Sequence, residues 1–293
     1  MVQFSLILGI FLSHQLLLAG SYKTLVLANP KIDESSGLAA SGRYKNALWT
    51  HNDSGNTPTI YAMDFQGKAL GSFFLDGVSN RDWEDMAAFR WQQQDYLLLA
   101  DSGDNYQMYL SSYLHIFKEP LIKSLSSFDE IRQAEANDMS PEWTLEFTYE
   151  DGKLYDVEAV AVDIREKKII LLSKRTKVVH VFELPLLPKT TSYQDDVVLT
   201  AKKIAELNYL KNPTAMDISV DGNMAAILSY GRVYLFAKSA QQSWAQSLQK
   251  PIKVLKYSGL YQPEALCFSR QGNRLFITSE KLPAKMLTID LTK

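Results

Sequence analysis

The sequence predicts an all-β fold, a five-bladed β-propeller closed by its own N-terminal strand. Three observations predict it. A short phrase recurs along the chain, as Ser36-Gly37-Leu38-Ala39, Glu84-Asp85-Met86-Ala87, Glu158-Ala159-Val160-Ala161, Thr214-Ala215-Met216-Asp217 and Glu264-Ala265-Leu266-Cys267. Each copy is followed by a polar turn and further short apolar stretches at strand spacing. One apolar stretch, Lys23 to Ala28, precedes every copy and has no blade of its own.

In chain order, the copies themselves are the first strands of the blades. The second strands are Ala47 to Thr50, Tyr96 to Ala100, Ile169 to Ser173, Ala225 to Ser229 and Leu275 to Ser279. The third are Thr59 to Phe65, Tyr113 to Phe117, Lys177 to Phe182, Arg232 to Phe236 and Met286 to Leu291. Fourth strands follow at Ala69 to Leu75, Trp143 to Tyr149, Lys203 to Leu207 and Ile252 to Tyr257. The last copy has none, so Lys23 to Ala28 is expected to complete that blade and leave no free edge. Successive copies stand about one blade length apart, roughly 40 to 50 residues. The exception is the second interval, which is longer and carries an insertion at about 104–142. Within it Phe128 to Ala134 could form a short helix. A six-bladed ring is the alternative count. The turns at Asp221-Gly222-Asn223 and Gln271-Gly272-Asn273 fit hairpins in which glycine supplies positive φ.

Residues 1–21 read as a secretory leader. Phe4 to Leu12 and Leu16 to Ala19 are apolar, and Ala19-Gly20-Ser21 offers small residues for cleavage, although no Lys or Arg precedes the apolar run. An uncleaved anchor is the competing reading. The expectation is therefore a periplasmic or secreted single domain over residues 22–293, monomeric, with no stable membrane insertion once the leader is removed. With 31 Lys+Arg against 33 Asp+Glu and a formal net charge of -2, no basic stripe supports nucleic-acid binding. Cys267 is the single cysteine, so no intramolecular disulfide contributes to stability.

In a propeller the first strand lines the central tunnel, and its start lies at the same rim as the end of the antiparallel second strand. At the first position stand Ser36, Asp82 and Glu84, Asp156 and Glu158, Thr214, and Glu264; at the second stand His51-Asn52-Asp53, Asp101-Ser102-Gly103-Asp104-Asn105, Lys174 and Glu280. Together they predict one acidic mouth. Carboxylates that close raise one another's pKa unless a cation neutralises them, and calcium takes six to eight oxygen ligands. The expected ligands are Glu84, Glu158, Glu264 and Asp53, and the expected cofactor is calcium. Asp82, Asp104, Asn105, Asp156, Lys174 and Glu280 form the rim for a small-molecule or protein partner. The competing reading makes each glutamate a clamp on backbone N–H groups of the next blade. If the protein is a hydrolase of phosphoesters, esters or lactones, His51 or Asp101 is the candidate base. His115 and His180 occupy third strands and read as structural, and Trp83 as packing between blades.

The run Leu48-Trp49-Thr50-His51-Asn52-Asp53-Ser54-Gly55 with Ile60-Tyr61-Ala62-Met63, then Asp82-Trp83-Glu84-Asp85-Met86-Ala87 and Ala100-Asp101-Ser102-Gly103-Asp104-Asn105, resembles a group of secreted bacterial propellers of uncharacterised activity. The Glu-Ala repeats and Gln262-Pro263-Glu264-Ala265 are more distantly similar to the SdiA-regulated propellers and the esterase-like phytase group. The resemblance implies a periplasmic or surface propeller with calcium at the tunnel. This chain departs from a regular glutamate ring at Ser36 and Thr214, which rules out five carboxylates at that address.

Overall fold

The computed structural model describes residues 22–122, 139–186 and 198–291. The strands fall into five antiparallel meanders. The first holds β2 (Ser35–Ala40), β3 (Ala47–Asn52), β4 (Thr59–Asp64) and β5 (Ala69–Phe74). The second holds β6 (Trp83–Trp91), β7 (Gln94–Asp101), β8 (Ser112–Lys118) and β9 (Trp143–Tyr149). The third holds β10 (Val157–Asp163), β11 (Lys168–Ser173), β12 (Val179–Pro185) and β13 (Val198–Leu207). The fourth holds β14 (Pro213–Ile218), β15 (Met224–Ser229), β16 (Arg232–Ala237) and β17 (Lys253–Lys256). In the fifth, β18 (Pro263–Phe268), β19 (Arg274–Ser279) and β20 (Lys285–Asp290) are completed by β1 (Tyr22–Val26), which pairs antiparallel with β20. The inner strands β2, β6, β10, β14 and β18 pack side by side in that order, and β18 returns to β2. The chain is a β-propeller.

Five separate apolar cores, one between each pair of neighbouring meanders, hold the ring together. The strand period of two explains how one strand serves two cores. In β11, Ile169 and Leu171 enter the core shared with the second blade, while Ile170 and Leu172 enter the core shared with the fourth. All four are fully buried. That is why these strands read in sequence as continuous apolar runs, and truncation of one such leucine to alanine costs about 2–5 kcal/mol. Trp49, Trp83 and Trp244 are likewise enclosed. Trp244 opens the one-turn helix α1 (Trp244–Ser247), capped by Ser243 and Gln246, and its indole N–H donates to Asp163 Oδ2 at 2.8 Å.

Two departures from the expected strands bear on shape. β13 begins five residues earlier than read, and Val198–Ala201 pairs in parallel with Glu146–Tyr149 of β9. The second and third blades thereby share one eight-stranded sheet. The inserted stretch returns to the ring at Met139, which bridges Leu75 beside the first blade. The expected leader over residues 1–21 and the helix expected over Phe128 to Ala134 lie outside the described residues. Among the described residues, no helix is long and apolar enough to cross a membrane. Gly222 and Gly272 take φ of 61° and 68° in their hairpins, as the turn type requires.

Candidate metal centre

Every inner strand carries a one-residue register slip at the same place. The first residue of the strand pairs with the last residue of the second strand: Ser35 with Asn52, Trp83 with Asp101, Val157 with Ser173, Pro213 with Ser229 and Pro263 with Ser279. The ladder then shifts, leaving Ser36, Glu84, Glu158, Thr214 and Glu264 in the bulge. A bulge frees its extra residue from the ladder and re-aims the side chain. Repetition of the bulge carries these five side chains to one mouth of the tunnel.

There the carboxylates gather into two triads that share Glu84. Oxygens of Asp53, Asp82 and Glu84 lie within 4.8 Å of one another, as do oxygens of Glu84, Asp156 and Glu158. Asp82, Glu84, Asp156 and Glu158 are buried, and Asp53 is half-buried. Gly103 makes this approach feasible: a Cβ there would stand 2.1 Å from Glu84 Oε1 and 2.7 Å from Asp82 Oδ2. Glycine in the Asp-Ser-Gly turn is a cradle for two acids.

Neutralisation is one-sided. Lys174 Nζ lies 2.6 Å from Glu158 Oε2 and 3.5 Å from Glu264 Oε2, and the Arg175 guanidinium contacts both Asp156 and Glu158. Tyr230 donates its hydroxyl to Glu264 Oε1 at 2.8 Å. Asp101 accepts from Arg81 Nε and from the Asp82 N–H. On the other side, among the described residues the Asp53 carboxylate accepts only from its neighbour Ser54 N–H, and no donor reaches the carboxylates of Asp82 or Glu84. Glu84 is 5 % exposed.

The titration behaviour follows this division. Burial, then the charges of Asp53, Asp156, Glu158 and Asp101, pushes Asp82 up to about 7. Burial and the charges of Glu158, Asp53 and Asp82 hold Glu84 well above the usual carboxylate range. Asp53 and Asp156 are raised chiefly by burial. Burial lifts Glu264 to about 7 against the pull of Lys174, and burial with Glu264 nearby lifts Glu280 to about 8. Burial alone would lower Lys174, but Glu158 and Glu264 reverse it and hold the ammonium charged.

The structure brings Asp53, Asp82, Glu84, Asp156 and Glu158 together, with Lys174 set between Glu158 and Glu264. Glu264 stands across the ammonium from the two triads and belongs to neither. Glu280 accepts from Gln262 Nε2 at 2.8 Å on the rim. Asp104 is buried and turns its carboxylate to the N–H groups of Met108 and Tyr109 at 2.7 and 2.9 Å, and Asn105 is exposed on the same loop. His51 is fully enclosed beneath Gly37, edge-on to Trp83, with Nδ1 3.0 Å from the Asn52 carbonyl, and burial lowers it to about 4.

Backbone clamping falls to a residue that sequence reasoning passed over. Asp85, fully buried, accepts from Met86 N at 2.8 Å, Val160 N at 2.9 Å and Met216 N at 3.1 Å, tying the inner strands of three blades. Its signal was present, because Asp85 stands where the other copies have Gly37, Ala159, Ala215 and Ala265. Asp217 repeats the device on a smaller scale, accepting from Ile218 N and Phe268 N. Arg175 and Tyr230, which stand at second-strand ends as Lys174 does, also meet carboxylates of the mouth.

No protein-family model matches the chain, and no curated protein matches it. Among solved structures, a putative 6-phosphogluconolactonase from Bacteroides uniformis aligns over 94% of this chain and 70% of its own, at 11% identity and a TM-score of 0.41. A chain of the nidogen/laminin complex aligns over 89% and 77% at 11% identity and a TM-score of 0.47. Hydrazine synthase from Kuenenia stuttgartiensis aligns over 86% and 82% at 11% identity and a TM-score of 0.43. At such scores none of them bears on activity, and the propeller rests on strand order and the five inter-blade cores.

Proposed function

We propose that this propeller holds a calcium ion at the Asp53–Asp82–Glu84 side of its mouth and recognises a ligand or protein partner on the surrounding acidic rim. One observation carries the reading: Glu84 is nine-tenths buried and shared by two carboxylate triads, and no donor among the described residues meets it. The donors on offer there are oxygens, which suits a hard cation, and the Gly103 cradle lets two of them stand together. Asp53, Asp82 and Glu84 would hold the ion, with Asp156 and Glu158 behind them kept in place by Arg175 and Lys174. A bound calcium would supply the positive charge that this side of the mouth lacks. The reading includes residues 1–21 as an export leader, since weak calcium modules with Kd of about 10⁻⁴–10⁻³ M serve outside cells. The reading stops at binding, because His51 is enclosed and Asp101 is engaged by Arg81.

Metal content and melting temperature of the purified protein, with calcium and with chelator, test it. A ligand at a hundredfold excess over Kd stabilises by about 3 kcal/mol, a rise in Tm of several degrees. Glu84→Gln should abolish that rise and leave the chelated protein as stable as before, or more so, because a repulsive charge is gone. Absence of calcium together with identical melting curves would refute the site.

A further inference from the structure

The loop that leaves the mouth after Asp104 exposes three large apolar side chains in a short space: Tyr106 at 85 %, Met108 at 73 % and Leu110 at 84 %. Large apolar side chains gathered on one short loop, instead of scattered singly, suit an interaction surface. The loop is also built. The buried Asp104 carboxylate accepts the Met108 and Tyr109 N–H groups, and Asp104 N donates to Asp156 Oδ1 at 3.0 Å, which joins the loop directly to the acidic mouth. The Arg81 guanidinium lies 4.0 Å from the Tyr109 ring centroid and donates to the Ser111 carbonyl at 3.1 Å, so the far end is pinned as well.

We infer that the Tyr106–Leu110 loop and the acidic mouth together dock a basic, apolar-flanked segment of another protein: apolar residues pack on Tyr106, Met108 and Leu110, and a lysine or arginine faces the carboxylates beside them. The inference rests on reading the mouth as a recognition rim. Charge complementarity selects this occupant. At the mouth the acids Asp53, Asp82, Glu84, Asp156, Glu158, Glu264 and Glu280 outnumber the cations Lys174 and Arg175. An anionic lipid surface carries the same sign as the mouth and is repelled, and a second copy of this chain would bring an equally acidic mouth to the contact. Steering by such a field falls with ionic strength, while the apolar contact does not.

The probe is a set of fluorescently labelled peptides of equal length that vary in lysine or glutamate content and in the presence of a Leu-Phe pair, titrated with the full protein in calcium and read by anisotropy. Binding is expected only where lysines and the apolar pair occur together, and it should weaken with salt. The triple variant Tyr106→Ser, Met108→Ser, Leu110→Ser should lose about tenfold or more in affinity, as removal of exposed anchors does. Its calcium-dependent rise in Tm should stay intact, because none of the three is a ligand of the mouth. Binding to no peptide, equal binding to glutamate peptides, or unchanged binding by the variant overturns the inference. So does self-association or vesicle binding that the variant abolishes. Failure of the calcium site shows separately, as loss of the melting shift in the unmutated protein.

Discussion

Asp85 accepts from three backbone N–H groups of the inner strands β6, β10 and β14. Burial pushes its carboxyl well above the usual carboxylate range, against the pull of those three donors. An unpaired buried N–H costs about 1–3 kcal/mol, so Asp85→Ala should destabilise the protein by roughly 3–5 kcal/mol. Asp85→Asn can keep one oxygen where Oδ2 serves Val160 and Met216, losing the Met86 bond, and should cost roughly 1–2 kcal/mol. Urea unfolding of the two variants checks the order, and equal or negligible losses would mean that water serves these groups as well. The residue was legible only by aligning the repeats, since an aspartate in a column of alanines and glycine signals a tunnel-facing group. Lys174 was legible as a rim residue, but not as the cation between Glu158 and Glu264. The turn that carries it holds Arg175 at φ 55°, a backbone state that the sequence Ser-Lys-Arg does not announce.

The elements were readable because each blade repeats the same problem: apolar strands sandwiched between two cores, closed by turns with Gly, Asn and Asp. Trp143 to Tyr149 matches β9 residue for residue, and the lone N-terminal stretch found its partner in β20. β13 was read short because Val198 to Lys202 lies largely exposed, and a pairing in parallel with another blade leaves no local pattern. β1 is also largely exposed, so it contributes through its ladder with β20, through its partly buried Leu25 and through Leu27 just beyond it. Deletion of Tyr22 to Val26 should therefore lower Tm by many degrees and uncover the edge of β20, a template for pairing between chains. Sedimentation would then show more association than the intact chain shows under the same conditions. A monomer with unaltered Tm would mean that β18 to β20 hold the fifth blade unaided.

At the scale of the whole molecule, the mouth makes stability depend on pH in a direction opposite to that of most salt-bridged carboxylates. Asp82 and Glu264 titrate near 7 and Glu280 near 8 in the folded state, and Glu84 lies well above its ordinary value. Unfolded, all four return to about 4. Between about pH 4 and pH 8 the folded protein binds more protons than the unfolded chain, so these groups subtract stability as pH rises and contribute nothing below about pH 4. Lys174 and Arg175 stay charged throughout and leave the slope unchanged. Calcium would take the place of those protons, and its affinity should increase as they leave. Melting curves of metal-free protein should therefore move down from about pH 5 to about pH 8, while the gap between calcium-loaded and metal-free curves widens. Glu84→Gln should flatten the first trend and erase the second. A gap that stays constant with pH, or metal-free protein that gains stability toward pH 8, would show that the acids of the mouth are neutralised from within the fold and await no cation.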